Sequence, residues 1–271
     1  MGKYFPQIIS VLIFLTLDLM LLGAGVRTMD AGLACPDWPL CFGKVIPDYH
    51  FGVYLEFLHR AIAGLVSLIF FPCLIYVFIN KKFHNLRWYF SVSFLLLMSQ
   101  IIMGGLTVLK ILDSGIVATH LSLATAFLIS LVLIRSHFKN YKETVSPTKI
   151  FKGLALLSLL AVCLQIVLGG LVASNYAGMA CVDFPRCNGQ WFPTWEGPIG
   201  LQVMHRMGAY TLTLIVVSLF IYGLILYRRG KLSGSNKQLV AKAFMLVLSQ
   251  VAIGIMNLKL LIPAWLSVVH L

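Results

Sequence analysis

A chain of 271 residues that is 59% hydrophobic and only 11% charged has too little polar surface to be a water-soluble globule. Its net charge of +12 would suit nucleic acid, but the placement of that charge excludes this partner. Lys3, Lys81, Lys82, Arg87, Arg135, Lys139, Lys142, Lys149, Lys152, Arg228, Arg229, Lys231, Lys237 and Lys242, 14 of the 21 basic residues, fall at one set of ends of the apolar segments. By the positive-inside rule those ends are cytoplasmic and the opposite loops face outward.

Apolar runs long enough to cross a hydrocarbon core of ~30 Å lie near 7–26, 53–79, 88–109, 116–135, 151–172, 199–227 and 238–258, and an eighth begins near Pro263. The expected fold is an all-α integral membrane protein. It is an eight-helix bundle of two pseudo-symmetric four-helix repeats, 1–137 and 151–271, joined by a cytoplasmic linker over 138–150.

The first apolar run is too long for a signal peptide and reads as a retained helix, with a bacterial plasma membrane as the expected location. It carries Asp18, either a hydrogen-bonded interior acid or part of a proton path. The loop that follows, 27–52, is rich in Pro, Gly and Asp and holds C-P-D-W-P-L-C from Cys35 to Cys41. Two close cysteines in an outward, oxidising compartment predict a structural disulfide; a redox-active thiol pair is the alternative, although nothing here is a CxxC. Trp38 is expected to pack down onto the membrane face.

The second apolar segment opens with E-F-L-H-R, Glu56 to Arg60. Both motifs return later, as C-V-D-F-P-R-C from Cys181 to Cys187 and Q-V-M-H-R from Gln202 to Arg206. Cys35 and Cys181, Cys41 and Cys187, His59 and His205, and Arg60 and Arg206 are each 146 residues apart. The third and fifth segments carry Q-I-I-M-G-G-L from Gln100 and Q-I-V-L-G-G-L from Gln165. A further Gln-x-x-x-Gly lies at Gln250 to Gly254. These glycines read as points of close helix approach. Gln100 and Gln250, like His120 and His270, are 150 residues apart, so four residues are inserted within the second half.

A helix rises 1.5 Å per residue. Counted from the expected helix starts, His59, His120, His205 and His270 lie at one depth near the outward ends of the even-numbered helices. A lone intramembrane histidine is ordinarily a satisfied polar residue. Two at matched depth in each repeat point to axial bis-imidazole ligation of haem, whose plane fits between facing helices. Zinc or copper would recruit carboxylate or thiol partners, and only Glu56 is on offer. His50, His84 and His137 lie in loops or at helix ends and read as interfacial. Arg60 and Arg206 either reach a haem propionate or snorkel to lipid headgroups. Glu56 shares the helix face of His59 one turn outward, whereas its counterpart Gln202 cannot titrate. That asymmetry suggests a reactive first site and an electron-transferring second one, with a purely structural Glu56 as the alternative.

Across essentially its whole length, through E-x-x-H-R, the single His120 and His270, H-R at His205 and the cysteine pairs, the chain resembles the heme A synthase family. These are the membrane enzymes that oxidise a methyl of haem O stepwise to the formyl of haem A for terminal oxidases. The resemblance implies that Glu56, His59 and His120 form the catalytic site around the iron of substrate haem O. It implies that His205 and His270 ligate a resident haem b. The expected surroundings are the lipid bilayer, with a haem O synthase as candidate donor and self-association left open. Two other readings share part of the pattern: a dihaem b-type electron-transfer or quinol-coupled cytochrome, and a membrane thiol-quinone oxidoreductase using Cys35 and Cys41. Because helix 4 runs on to Arg135, its counterpart should run well past Leu271. The natural protein is therefore expected to be longer, with a larger intact mass.

Overall fold

The computed structural model describes residues 4–138, 145–191 and 193–270. Lys3, Leu271 and residues 139–144 of the linker expected over 138–150, with Lys139 and Lys142 among them, lie outside them. Eight α-helices run through the described residues: α1 (Phe5–Thr28), α2 (Phe51–Ile79), α3 (Arg87–Leu109), α4 (Ser114–Ser136), α5 (Lys149–Ser174), α6 (Gly197–Arg228), α7 (Gly234–Lys259) and α8 (Ala264–His270). Short 3₁₀ turns occupy Lys81–Leu86 and Ala177–Met179. The first seven α-helices are each long and apolar enough to cross a membrane. The chain is an all-α, multi-pass membrane protein.

The helices begin where their orphan N–H groups find partners. Asp113 caps α4, its carboxylate accepting from the N–H groups of Gly115 and Ile116 at 3.0 and 3.1 Å. Thr148 caps α5 by accepting from Phe151, and Ser233 caps α7 by accepting from Asn236, each at 3.2 Å. The Ser233 cap explains why α7 starts four residues before its apolar run does: a capped polar first turn needs no hydrophobic side chains.

The chain divides into two compact units, Met1–Asn140 and Tyr141–Leu271. In the first, α1 packs on α2 and α4, and α3 packs on α4 and α2. The four helices therefore close a ring in which α2 and α4 are diagonal partners. In the second, α6 lies against α5 and α7, and α8 against α7.

Each unit has an apolar core at the end away from its cysteine loop. Phe5, Ile9, Phe70, Phe90, Leu131 and Ile134 are completely buried in the first, where Phe70 and Phe90 stack at 5.7 Å. Phe151, Leu219, Leu226, Leu232 and Val240 form the smaller core of the second. Toward the loops the pattern breaks. No residue of 17–25 on α1, 57–65 on α2, 98–104 on α3 or 119–126 on α4 is buried, nor any of 159–169 on α5 or 204–211 on α6. A band at least seven residues long, ~10 Å of helix, thus separates each core from its loop.

Candidate paired-histidine sites

The two cysteine loops fold alike. Cys35–Cys41 and Cys181–Cys187 are disulfides, and all four cysteines are buried. In each loop the second cysteine exchanges two backbone hydrogen bonds with the residue three further on, Cys41 with Lys44 at 3.1 Å and Cys187 with Gln190 at 3.0 Å. The tight turns this makes need left-handed backbone at both central positions, supplied by Phe42 and Gly43 and by Asn188 and Gly189. An aspartate steadies each turn. Asp37 accepts from the N–H groups of Phe42 and Gly43 at 2.6 and 2.8 Å; Asp183 accepts from those of Asn188 and Gly189. The Gly43 and Gly189 bonds, which favour the anion, hold both carboxyls below their ordinary range.

An arginine fastens each loop to the helix below it. Arg60 donates to the carbonyls of Asp37 at 2.7 Å, Leu40 at 2.6 Å and Cys35 at 3.2 Å. Arg206 donates to the corresponding carbonyls of Asp183 at 2.9 Å, Arg186 at 2.8 Å and Cys181 at 2.9 Å. The planar five-donor fork of guanidinium suits several carbonyls at once. The propionate partner expected for these arginines would therefore meet guanidinium groups already braced by loop. Trp38 does pack downward, its indole lying over Gly105 of α3.

The units differ beneath the loop. Glu56, 4% exposed, is the one buried carboxylate among the described residues. One of its oxygens accepts the N–H of Cys35 at 2.8 Å and the other pairs with Arg60. Gln202 instead donates to the carbonyl of Gly178 at 3.1 Å, and its own side-chain oxygen has no protein partner.

His59 and His205 are each the ninth residue of their helices, His120 and His270 each the seventh. All four fall in the band without buried positions. His59 and His120 stand on the diagonal helices of the first unit, within electrostatic reach of each other. The rings of His205 and His270 are 6.2 Å apart, centroid to centroid, with planes at 88°. The other histidines stay at the periphery: His50 at the start of α2, His84 in a 3₁₀ turn, and His137 at the end of α4 against Tyr89.

These residues fit a haem. Two imidazoles binding one iron from opposite faces through bonds of about 2 Å have centroids about 6 Å apart, as His205 and His270 do. Nδ1 of His120 is buried without a protein partner, while His59 and His270 stand beside the backbone carbonyls of Leu19 and Gln250, which suits imidazoles held by the backbone at one nitrogen with the other free to ligate. Among the described residues no group of three or more His, Cys, Asp or Glu is assembled to hold a bare metal ion. An imidazole pair suits a planar ligand that brings its own equatorial donors.

Four glycines lie opposite these rings; three of them, Gly104, Gly169 and Gly254, were expected only to bring helices close, and Gly23 was not singled out. Gly23 faces His59, Gly104 faces His120, Gly169 faces His205 and Gly254 faces His270. The signal was present in the sequence, because Gly23 and Gly169 share the 146-residue offset and Gly104 and Gly254 the 150-residue offset of the histidines they face.

Fold and site together define a multi-pass helical membrane protein with a paired-imidazole site, under a disulfide-closed loop, in each of two units. The chain belongs to the family described as cytochrome oxidase assembly protein, whose family model matches residues 7–51 and 48–271. It is similar to the heme A synthase of Shewanella oneidensis, 30% identical over 310 residues covering 97% of this chain and 90% of that protein. It is likewise similar to the heme A synthase of Shouchella clausii, 31% identical over 242 residues covering 86% and 79%. The heme A synthase of Alkalihalophilus pseudofirmus is 30% identical over 248 residues, covering 88% and 82%.

Proposed function

We propose that this chain is a membrane oxidoreductase that converts haem O to haem A by stepwise oxidation of one porphyrin methyl to a formyl group, for terminal oxidase assembly. The observation that carries the reading is the asymmetry of two otherwise matched units: a buried, titratable Glu56 over the first histidine pair and a neutral Gln202 over the second. The similarity to proteins named heme A synthase supports it.

In this reading the N-terminal half, 1–137, holds the iron of substrate haem O between His59 and His120. The C-terminal half, 151–271, holds resident haem b between His205 and His270, and 138–150 links them. Haem b, when bound, supplies one-electron redox chemistry. Taking the methyl to a formyl adds one oxygen atom, from water or dioxygen, and passes the electrons to an external acceptor. Glu56 accepts protons released in that oxidation, a role that requires a positioned group able to gain and lose a proton. The Cys35 N–H and Arg60 fix where its carboxylate stands. Arg60 and Arg206 form the basic rim of each site, bracing the loop with their N–H groups and adding positive charge where propionates would lie.

The basic residues at the opposite helix ends support cysteine loops on the outer side of a bacterial plasma membrane, with the apolar substrate passing from haem O synthase within the bilayer. The test is to express the chain with a haem O supply and identify the extracted porphyrins by mass. A formyl-bearing haem is expected; haem O recovered unchanged at full haem occupancy overturns the reading.

A further inference from the structure

Each odd-numbered helix places one glycine opposite the histidine of the even-numbered helix that follows it. A Cβ built on Gly23 would lie 2.8 Å from Cε1 of His59, and one on Gly254 would lie 2.7 Å from Cε1 of His270. On Gly169 it would be 3.2 Å from Cε1 of His205, and on Gly104 3.4 Å from Cε1 of His120. Below about 3.4 Å a carbon–carbon contact is repulsive, so an alanine at three of these positions pushes the imidazole away. Such closeness is not confined to the histidines, since a Cβ on Gly208 would meet the Gln165 side chain and one on Gly105 the Trp38 ring, but it is not general either. Gly25 on α1 and Gly64 on α2 have nothing within 4 Å of such a Cβ.

A second feature repeats with the first. On α3, α5 and α7 a glutamine stands four residues before the glycine, one turn away on the same face. Gln100 donates to the carbonyl of His120 at 2.7 Å and Gln165 to that of His205 at 3.0 Å. Gln250 donates to the carbonyl of Val269 at 3.3 Å. Gln165 also lies 3.0 Å from Nδ1 of His205. Each of these three histidine helices is thus tied at its histidine layer by an amide while the ring rests on glycine. On α1 the matching position is Leu19, so His59 alone lacks the amide.

We propose that Gly23, Gly104, Gly169 and Gly254 are positioning residues: each is a seat with no side chain that sets how far its imidazole stands from its partner, and so the pair's ability to ligate one iron from both sides. The glutamines hold that register. This rests on the haem reading above and concerns the chain's own residues.

The test is haem b titration of protein purified from haem-starved cells, read by affinity and by the low-spin absorption and paramagnetic resonance signature of two imidazole ligands. Gly254→Ala and Gly169→Ala are expected to weaken binding about 10- to 100-fold and to lose that signature, with helix content by circular dichroism unchanged. The loss is larger at Gly254 than at Gly169, following the depth of the clash. Gly25→Ala and Gly64→Ala leave affinity and signature at parent values. Should Gly254→Ala fail to insert, Gly169→Ala carries the test. Parent-like affinity and signature in the glycine variants overturn the proposal, as do equal losses in the two controls. If His205→Ala also keeps the haem signal, the haem assignment itself has failed; if His205→Ala loses it while the glycine variants do not, only the seat is wrong.

Discussion

The carboxylate of Glu56 accepts the backbone N–H of Cys35 at 2.8 Å, across 21 residues of chain. The acid proposed to do proton chemistry is therefore fastened to the disulfide loop above it. Loop and chemistry are coupled in the first unit. In the second, Gln202, which cannot ionise, is tied instead to Gly178, in the same inter-helix loop but outside the disulfide ring.

Glu56→Gln separates anchoring from titration. A glutamine oxygen can still accept from Cys35, but it neither ionises nor pairs with Arg60. Formyl-haem formation is expected to fall at least about 100-fold, with the b-type spectrum retained. Conversion near the parent rate in a porphyrin mass assay would remove Glu56 from the chemistry.

The disulfides test the coupling. Closing loops with a sequence separation of six residues, each contributes about 2 kcal/mol in the chain-entropy model. Replacing Cys35 and Cys41 by serine loosens the Cys35 amide and is expected to lower turnover while haem b stays bound. Replacing Cys181 and Cys187 is expected to lower the thermal midpoint with turnover per haem-loaded chain unchanged. Equal turnover losses in both double variants would contradict the coupling; full turnover in the first would also exclude a thiol–quinone role.

Resident and substrate pairs should respond differently to their glutamines. Gln165→Leu gives the second unit the apolar residue that Leu19 supplies to the first. Haem b is expected to dissociate faster to a haem-scavenging apoprotein, with its absorption maximum little moved. A dissociation rate equal to the parent's would mean the amide is not a brace.

The loop aspartates set a pH limit. Both carboxyls are lowered in the folded loop, so their contribution is fully present above the ordinary value of 3.8 and is lost as pH falls through the lowered one. Amide exchange at Gly43 and Gly189, corrected for its intrinsic pH dependence, should be flat between pH 7 and 5 and should accelerate only in strong acid. Asp37→Asn and Asp183→Asn should abolish that transition. A transition near neutral pH would point to another group.

The helices were legible because lipid leaves no alternative: every backbone polar group must be satisfied within the segment, so a long apolar run becomes a helix. The histidine pairs were legible because a repeat offset and a helix rise together fix depth. The contacts above them were not. Spacing puts Arg60 and Glu56 on particular turns of α2, but which carbonyls a 22-residue loop will lay over them depends on how that loop folds. The Asp37 and Asp183 turns, with their left-handed central residues, decide it. Gly23 was missed for a different reason. Its neighbourhood on α1 lacks the glutamine that marks the other three glycines, and only its offset from Gly169 betrays it.

The band without buried positions also bears on assembly order. Each unit is secured at one end by an aromatic or aliphatic core and at the other by a disulfide, an aspartate turn and an arginine clamp, and none of these includes a histidine. The layer between them is a seam flanked by two self-sufficient ends. On the proposed function, such a protein can be threaded into the bilayer, folded and oxidised first and supplied with porphyrin afterwards.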